Sequence, residues 1–121
     1  MQGSPTKTGL YFGIKMSSYI YKKPYNPQPL ATVEHTKTGV RIRLNMAATV
    51  KGKLEKIRFV AIDDDPEERT ISIRRYSGPD SYTLSISASR NARVSSTIFQ
   101  QFADNSIFPV EFIAGGVMFR Y

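Results

Sequence analysis

The strongest constraint on this chain is a period of two. From Leu30 onward, apolar and polar residues alternate in short runs that Gly, Pro, Asn and Asp repeatedly interrupt. Val40-Arg41-Ile42-Arg43-Leu44 is the cleanest case, with Val40, Ile42 and Leu44 on one face and the two arginines on the other. The same pattern predicts strands over 30–35, 57–62, 70–75, 82–87 and 93–94, and a hairpin joining 110–113 to 117–119 through Gly115-Gly116. Thr36 to Gly39 reads as a turn, and the acidic run Asp63 to Glu68 as an exposed hairpin turn. Two segments break the alternation and predict short helices. One is 45–50, capped by Asn45 and closed by Gly52; the other is 96–102, capped by Ser96 or Thr97. The expected class is mainly β.

These elements occur twice in one order: strand, turn, short strand, short helix, hairpin. The first copy covers about 30–75 and the second about 82–121. A shift of fifty-two sets Val40-Arg41-Ile42 over Ala92-Arg93-Val94 and Asn45-Met46 over Thr97-Ile98. With one residue deleted, Phe59 to Ile62 falls over Val110 to Ile113, and Ile71 and Ile73 then match Val117 and Phe119. About forty residues cannot bury enough surface to be stable alone, so the halves are expected to share one core about a pseudo-two-fold axis. Residues 30–121 are therefore one domain. Residues 1–29 are an extension, because Lys23-Pro24-Tyr25-Asn26-Pro27-Gln28-Pro29 forbids a helix and favours an extended arm. Met16 is an alternative start, and Tyr19, Tyr21 and Tyr25 beside Lys22 and Lys23 are expected to pack as a strap.

The net charge of +7 is uneven: residues 1–62 carry eleven Lys or Arg against Glu34 and Glu55, and residues 63–121 six Arg against eight acids. A basic half concentrates polyanions such as nucleic acid. There is no cysteine, which removes disulfides, thiolate metal sites and thiol nucleophiles, and suits a reducing, cytoplasmic setting. No window approaches the ~18 apolar residues of a membrane span, and Met1 to Lys15 has no apolar core of a secretory signal.

Each half, from Thr36 to Leu44 with Gly39, Arg41 and Ile42 through 45–50 to the strands at 57–62 and 70–75, resembles the AbrB-type swapped-hairpin module. Ser89 to Val94, Ser96 to Phe102 and Val110 to Tyr121 supply the second copy. Two such halves in one chain resemble the tandem arrangement of MraZ-like proteins. The Ile-Pro that precedes the helix in that family is replaced by Leu44-Asn45 and Ser96-Thr97, and Asn91 stands for the turn glycine. The resemblance implies two tandem swapped-hairpin-like halves forming one pseudo-two-fold barrel with short helices. It also implies a transcription regulator that docks Arg-bearing loops on double-stranded DNA.

On that expectation the phosphate-binding residues are Lys37, Arg41 and Arg43 in one half, with Arg90 and Arg93 in the other. Alternating arginines more often only solvate the outer face of a strand. Lys51, Lys53, Lys56 and Arg58, interrupted by Glu55, read as a solvated loop. Asp63, Asp65 and Glu67 alternate, but Pro66 and Arg69 do not fit a calcium loop. His35 has no second histidine or cysteine to join it, and Ser95 and Ser96 have no base nearby in sequence. Ala114-Gly115-Gly116 lacks the spacing of a phosphate loop. No catalytic site, cofactor or metal is expected. The rival to DNA binding is a non-enzymatic inhibitor or binding protein of phage or bacterial type. It would capture a protein or small anionic ligand through a patch such as Tyr76, Tyr82, Phe108 and Phe112. Self-association is compatible with either reading.

Overall fold

A computed structural model describes residues 28–121, so the expected arm lies outside the described residues except for Gln28 and Pro29. In chain order the elements are β1 (Leu30–Thr36), β2 (Gly39–Leu44), helix α1 (Met46–Lys51), β3 (Phe59–Asp65) and β4 (Thr70–Arg75). Then come β5 (Tyr82–Thr83), β6 (Ser85–Ile86), β7 (Ala92–Ser95), a 3-10 helix (Thr97–Gln101), β8 (Ile107–Ile113) and β9 (Gly116–Arg120). The caps sit where the side-chain chemistry puts them. The Asn45 carboxamide oxygen accepts from the backbone N–H of Ala48 at 3.0 Å, and the Ser96 hydroxyl accepts from that of Ile98 at 3.2 Å.

All pairings are antiparallel, in the order β5-β3-β4-β9-β8-β1-β2-β7-β6. The terminal members β5 and β6 flank one break at the buried Leu84, so the sheet comes close to closing into a barrel. The expected strand over 82–87 is thus two short pieces that serve different neighbours, β3 and β7. Its counterpart β1 does both jobs unbroken, pairing with β2 and, through Leu30 to Thr32, with β8.

This arrangement interlocks the halves. Hairpin β3–β4 of the first half closes on β5 of the second, and hairpin β8–β9 of the second closes on β1 of the first. Ile42 faces Val94 fifty-two residues on, and Ser72 faces Met118. A pseudo-two-fold axis therefore passes between β2 and β7 on one side and between β4 and β9 on the other. One expected alignment is corrected. β3 at Phe59–Asp65 corresponds to β8 at Ile107–Ile113, so Ile62 and not Phe59 matches Val110. The cause is that β3 runs on through the three aspartates, leaving only Pro66 to Arg69 as the turn, whereas β8–β9 turns on Ala114 and Gly115 alone. Gly115 supplies the positive φ of +79° that this tight turn uses.

The alternation places every inward strand residue in one core. Ile42 and Leu44 of β2, Ile71 and Ile73 of β4, and Val117 and Phe119 of β9 are fully buried together with Leu54 and Phe99. Phe108 stacks on Phe119 at 4.8 Å, and Phe102 meets Phe108 and Tyr121 edge to face at 5.2 and 5.1 Å.

Candidate nucleic-acid interface

Because Ala31, Val33, Ile42, Leu44, Ala92 and Val94 all point inward, the residues between them must point out. The outer surface of β1, β2 and β7 thus carries Glu34, Arg41, Arg43 and Arg93 at the pseudo-two-fold axis. Register brings them together: Glu34 faces Arg41, Arg43 faces Arg93, and Arg41 faces Ser95. Two guanidinium groups directly opposite one another repel. Glu34 answers that repulsion, accepting from Arg41 Nε at 2.7 Å and Arg43 Nε at 2.8 Å, with Arg93 Nε at 3.9 Å from the same carboxylate. Partial burial by itself would raise the Glu34 pKa. The hydrogen bonds from Arg43 and Arg41 and their positive charges outweigh it and hold the carboxyl below its ordinary value. Three cations share one anion, so the face keeps a net charge of two. Arg93 is the least satisfied of them: its Nε is buried and has no hydrogen-bond partner among the described residues.

Arg41 and Arg93 also line a shallow pocket with the hydroxyl side chains of Thr83, Ser85 and Ser95. Guanidinium forks beside hydroxyl donors are the chemistry that holds a phosphate or carboxylate.

The structure therefore gathers three of the five expected residues and separates two. Lys37 lies in the turn Thr36 to Gly39 at one end of the β2–β7 pair, whereas Arg90 precedes β7 at the other end. Arg90 adopts a φ of +64° and reaches Glu55 at 3.6 Å. The sequence also concealed Glu34 as the common counter-ion. The signal was present in the strand pattern, since Glu34 is the only acid on the outer face of β1 or β2.

Other candidates find structural employment. His35 Nε2 lies 2.9 Å from the Phe102 carbonyl, and its backbone N–H donates to Asp104. Asp63 pairs with Arg74 at 2.9 Å, and Asp64 accepts from the Tyr121 hydroxyl at 2.6 Å, which raises the Tyr121 pKa. Among the described residues, no group of three or more His, Asp or Glu side chains is placed to hold a metal. The suggested aromatic patch also divides: Tyr76 and Phe112 are exposed, but Tyr82 and Phe108 pack against the core. No described helix is long and apolar enough to cross a membrane. Comparison with protein-family models, curated proteins and solved structures found no match.

Proposed function

We propose that the protein is a non-enzymatic DNA-binding regulator of AbrB-like form, which sets the β1–β2–β7 face with Arg41, Arg43 and Arg93 against the phosphates of double-stranded DNA. The observation that carries this reading is the gathering of three guanidinium groups around one carboxylate on a pseudo-two-fold axis. Duplex DNA has dyads of its own, and proteins that bind it commonly match their symmetry to it. The strand scaffold fixes the direction of each arginine. Glu34 removes much of the rotamer freedom that phosphate binding would otherwise have to freeze.

The test is a fluorescence-anisotropy titration of the full chain with a labelled duplex across salt concentrations. Three phosphate contacts imply a log–log salt slope of about −3. Arg93→Gln should flatten it by about one, since this arginine donates no Nε hydrogen bond that folding depends on. Absence of duplex binding at ~50 mM salt, or an unchanged slope in the variant, would refute the proposal.

The pocket between Arg41, Arg93, Ser85 and Ser95 favours a second reading, a binding protein that captures a small anionic ligand there. Saturable binding of inorganic phosphate, abolished by Arg93→Gln and unaccompanied by duplex binding, would select it.

A further inference from the structure

The basic run that reads as a solvated loop does not stay isolated in the fold. Lys51 ends α1, Lys53 follows it, and Lys56 and Arg58 lead into β3. Arg75 ends β4, which β-pairing returns to the same end of the barrel as the start of β3. The Arg75 backbone N–H donates to the Gly115 carbonyl of the β8–β9 turn at 2.9 Å, and that of Tyr76 to the Phe59 carbonyl at 3.1 Å. Two adjoining clefts meet at Arg75. The first is lined by Lys51, Lys53, Phe112 and the β8–β9 turn, the second by Lys56, Arg58, Phe59 and Tyr76.

Two features set this end apart. None of these five cations forms an ion pair among the described residues, a condition shared elsewhere only by the scattered Lys37 and Arg69, whereas Arg41, Arg43, Arg74, Arg90, Arg93 and Arg120 all do. The acid within the run, Glu55, is turned to Arg90. Exposed aromatic rings also concentrate here: Phe59 is 44% exposed, Tyr76 39% and Phe112 43%. Gly78 holds open the space that the Tyr76 ring occupies, since a Cβ there would meet Tyr76 Cζ at 2.5 Å.

We infer that this end of the barrel binds a single-stranded nucleic acid, with Lys51, Lys53, Lys56, Arg58 and Arg75 following the phosphates and Phe59, Tyr76 and Phe112 stacking on bases. The cations by themselves would suit any polyanion, and the rings decide between strand forms. Bases in a duplex hide their faces in the stack, but a single strand offers a face at every nucleotide, and an exposed ring gains most by covering one. The surface shares no residue with the Arg41–Arg43–Arg93 face, so the two proposals can fail separately.

The test uses the full chain, fluorescein-labelled oligothymidylate and oligouridylate of about twelve nucleotides, and a duplex of equal length. Binding of either single strand is expected, and the two distinguish a DNA from an RNA source. Phe59→Leu and Tyr76→Leu keep apolar bulk but remove the ring. Each should weaken single-strand binding about tenfold, leaving duplex binding and the melting temperature in place. Arg93→Gln should do the converse. No single-strand binding at ~50 mM salt, or undiminished single-strand affinity in both leucine variants, would overturn the inference.

Discussion

Glu34→Gln is the most informative single change. It keeps the shape of the side chain but replaces an anion that takes hydrogen bonds from Arg41 at 2.7 Å and Arg43 at 2.8 Å. A charge-assisted hydrogen bond contributes about 1.5–3 kcal/mol when well buried, and an exposed pair about 0.2–1 kcal/mol. Here the Glu34 side chain is 23% exposed and the two arginines 37% and 30%, an intermediate case. The glutamine carbonyl can still accept one of the bonds, while its NH2 faces donors. The expected loss is therefore about 1.5 kcal/mol, or about 6–12 °C in Tm for a domain of this size. The pH dependence carries the sharper signature. The folded-state pKa of Glu34 lies below its ordinary value, so its stabilisation is complete above that ordinary value and disappears as pH falls through the folded pKa. Thermal melts should show a constant gap between the wild type and Glu34→Gln at neutral pH, closing in acid. The variant should also bind duplex DNA more tightly, because the face gains one net positive charge. A gap that persists unchanged below the carboxylate range, or no gap at pH 7, would refute the assignment of Glu34 as the clamp.

Gly116→Ala should destabilise by more than about 3 kcal/mol in urea titrations, since its Cβ would strike the Ile73 carbonyl oxygen and lie 2.6 Å from Arg74 Cα. Gly115→Ala has only Arg75 Cγ nearby, at 4.0 Å, and should cost about 1–2 kcal/mol for its left-handed backbone; the reverse ranking would contradict the β4–β9 packing. Fragments 28–78 and 79–121 should each be unfolded alone by circular dichroism and fold on mixing, because each first strand is paired with a hairpin of the other half. A cooperative melt from either fragment alone would argue against the interlocked arrangement.

The parts of the fold legible in the sequence are those set by local chemistry. Asn45 and Ser96 cap helices because their side chains reach the next turn, and Val40 to Leu44 alternates because one face is buried. The repeat could be read across β2 and β7, whose matched arginines survive in both halves, and across β4 and β9 through their paired apolar residues. At the hairpins it is obscured, because Phe59 to Ile62 and Val110 to Ile113 look alike in hydropathy. Register there depends on where each turn begins, and three aspartates in strand conformation defeat the expectation that acids mark loops. An offset of three is odd, so the expected alignment set the buried Val60 against the exposed Glu111. The dyad face was half legible: strand alternation exposes Arg41 and Arg43, but their sharing of Glu34 with Arg93 depends on the pairing of β2 with β7.

That dependence bears on function. Net charge in sequence counts Arg41 and Lys56 alike, but the fold treats them oppositely. The arginines of the dyad face are aimed and partly neutralised by Glu34, which favours geometric fit to phosphates at a modest electrostatic attraction. The lysines at the barrel end keep their full charge on flexible stems beside exposed rings, which favours a strong, salt-sensitive and sequence-tolerant attraction. If both proposals hold, the two faces should separate by salt: raising ionic strength should release a single strand from the barrel end more steeply than a duplex from the dyad face. Five cations against three give expected slopes of about −3.5 and −3, because each contact with a single strand releases fewer counter-ions. The margin between them is narrow. Arg93→Gln should widen it, flattening the duplex slope by about one and leaving the single-strand slope where it was.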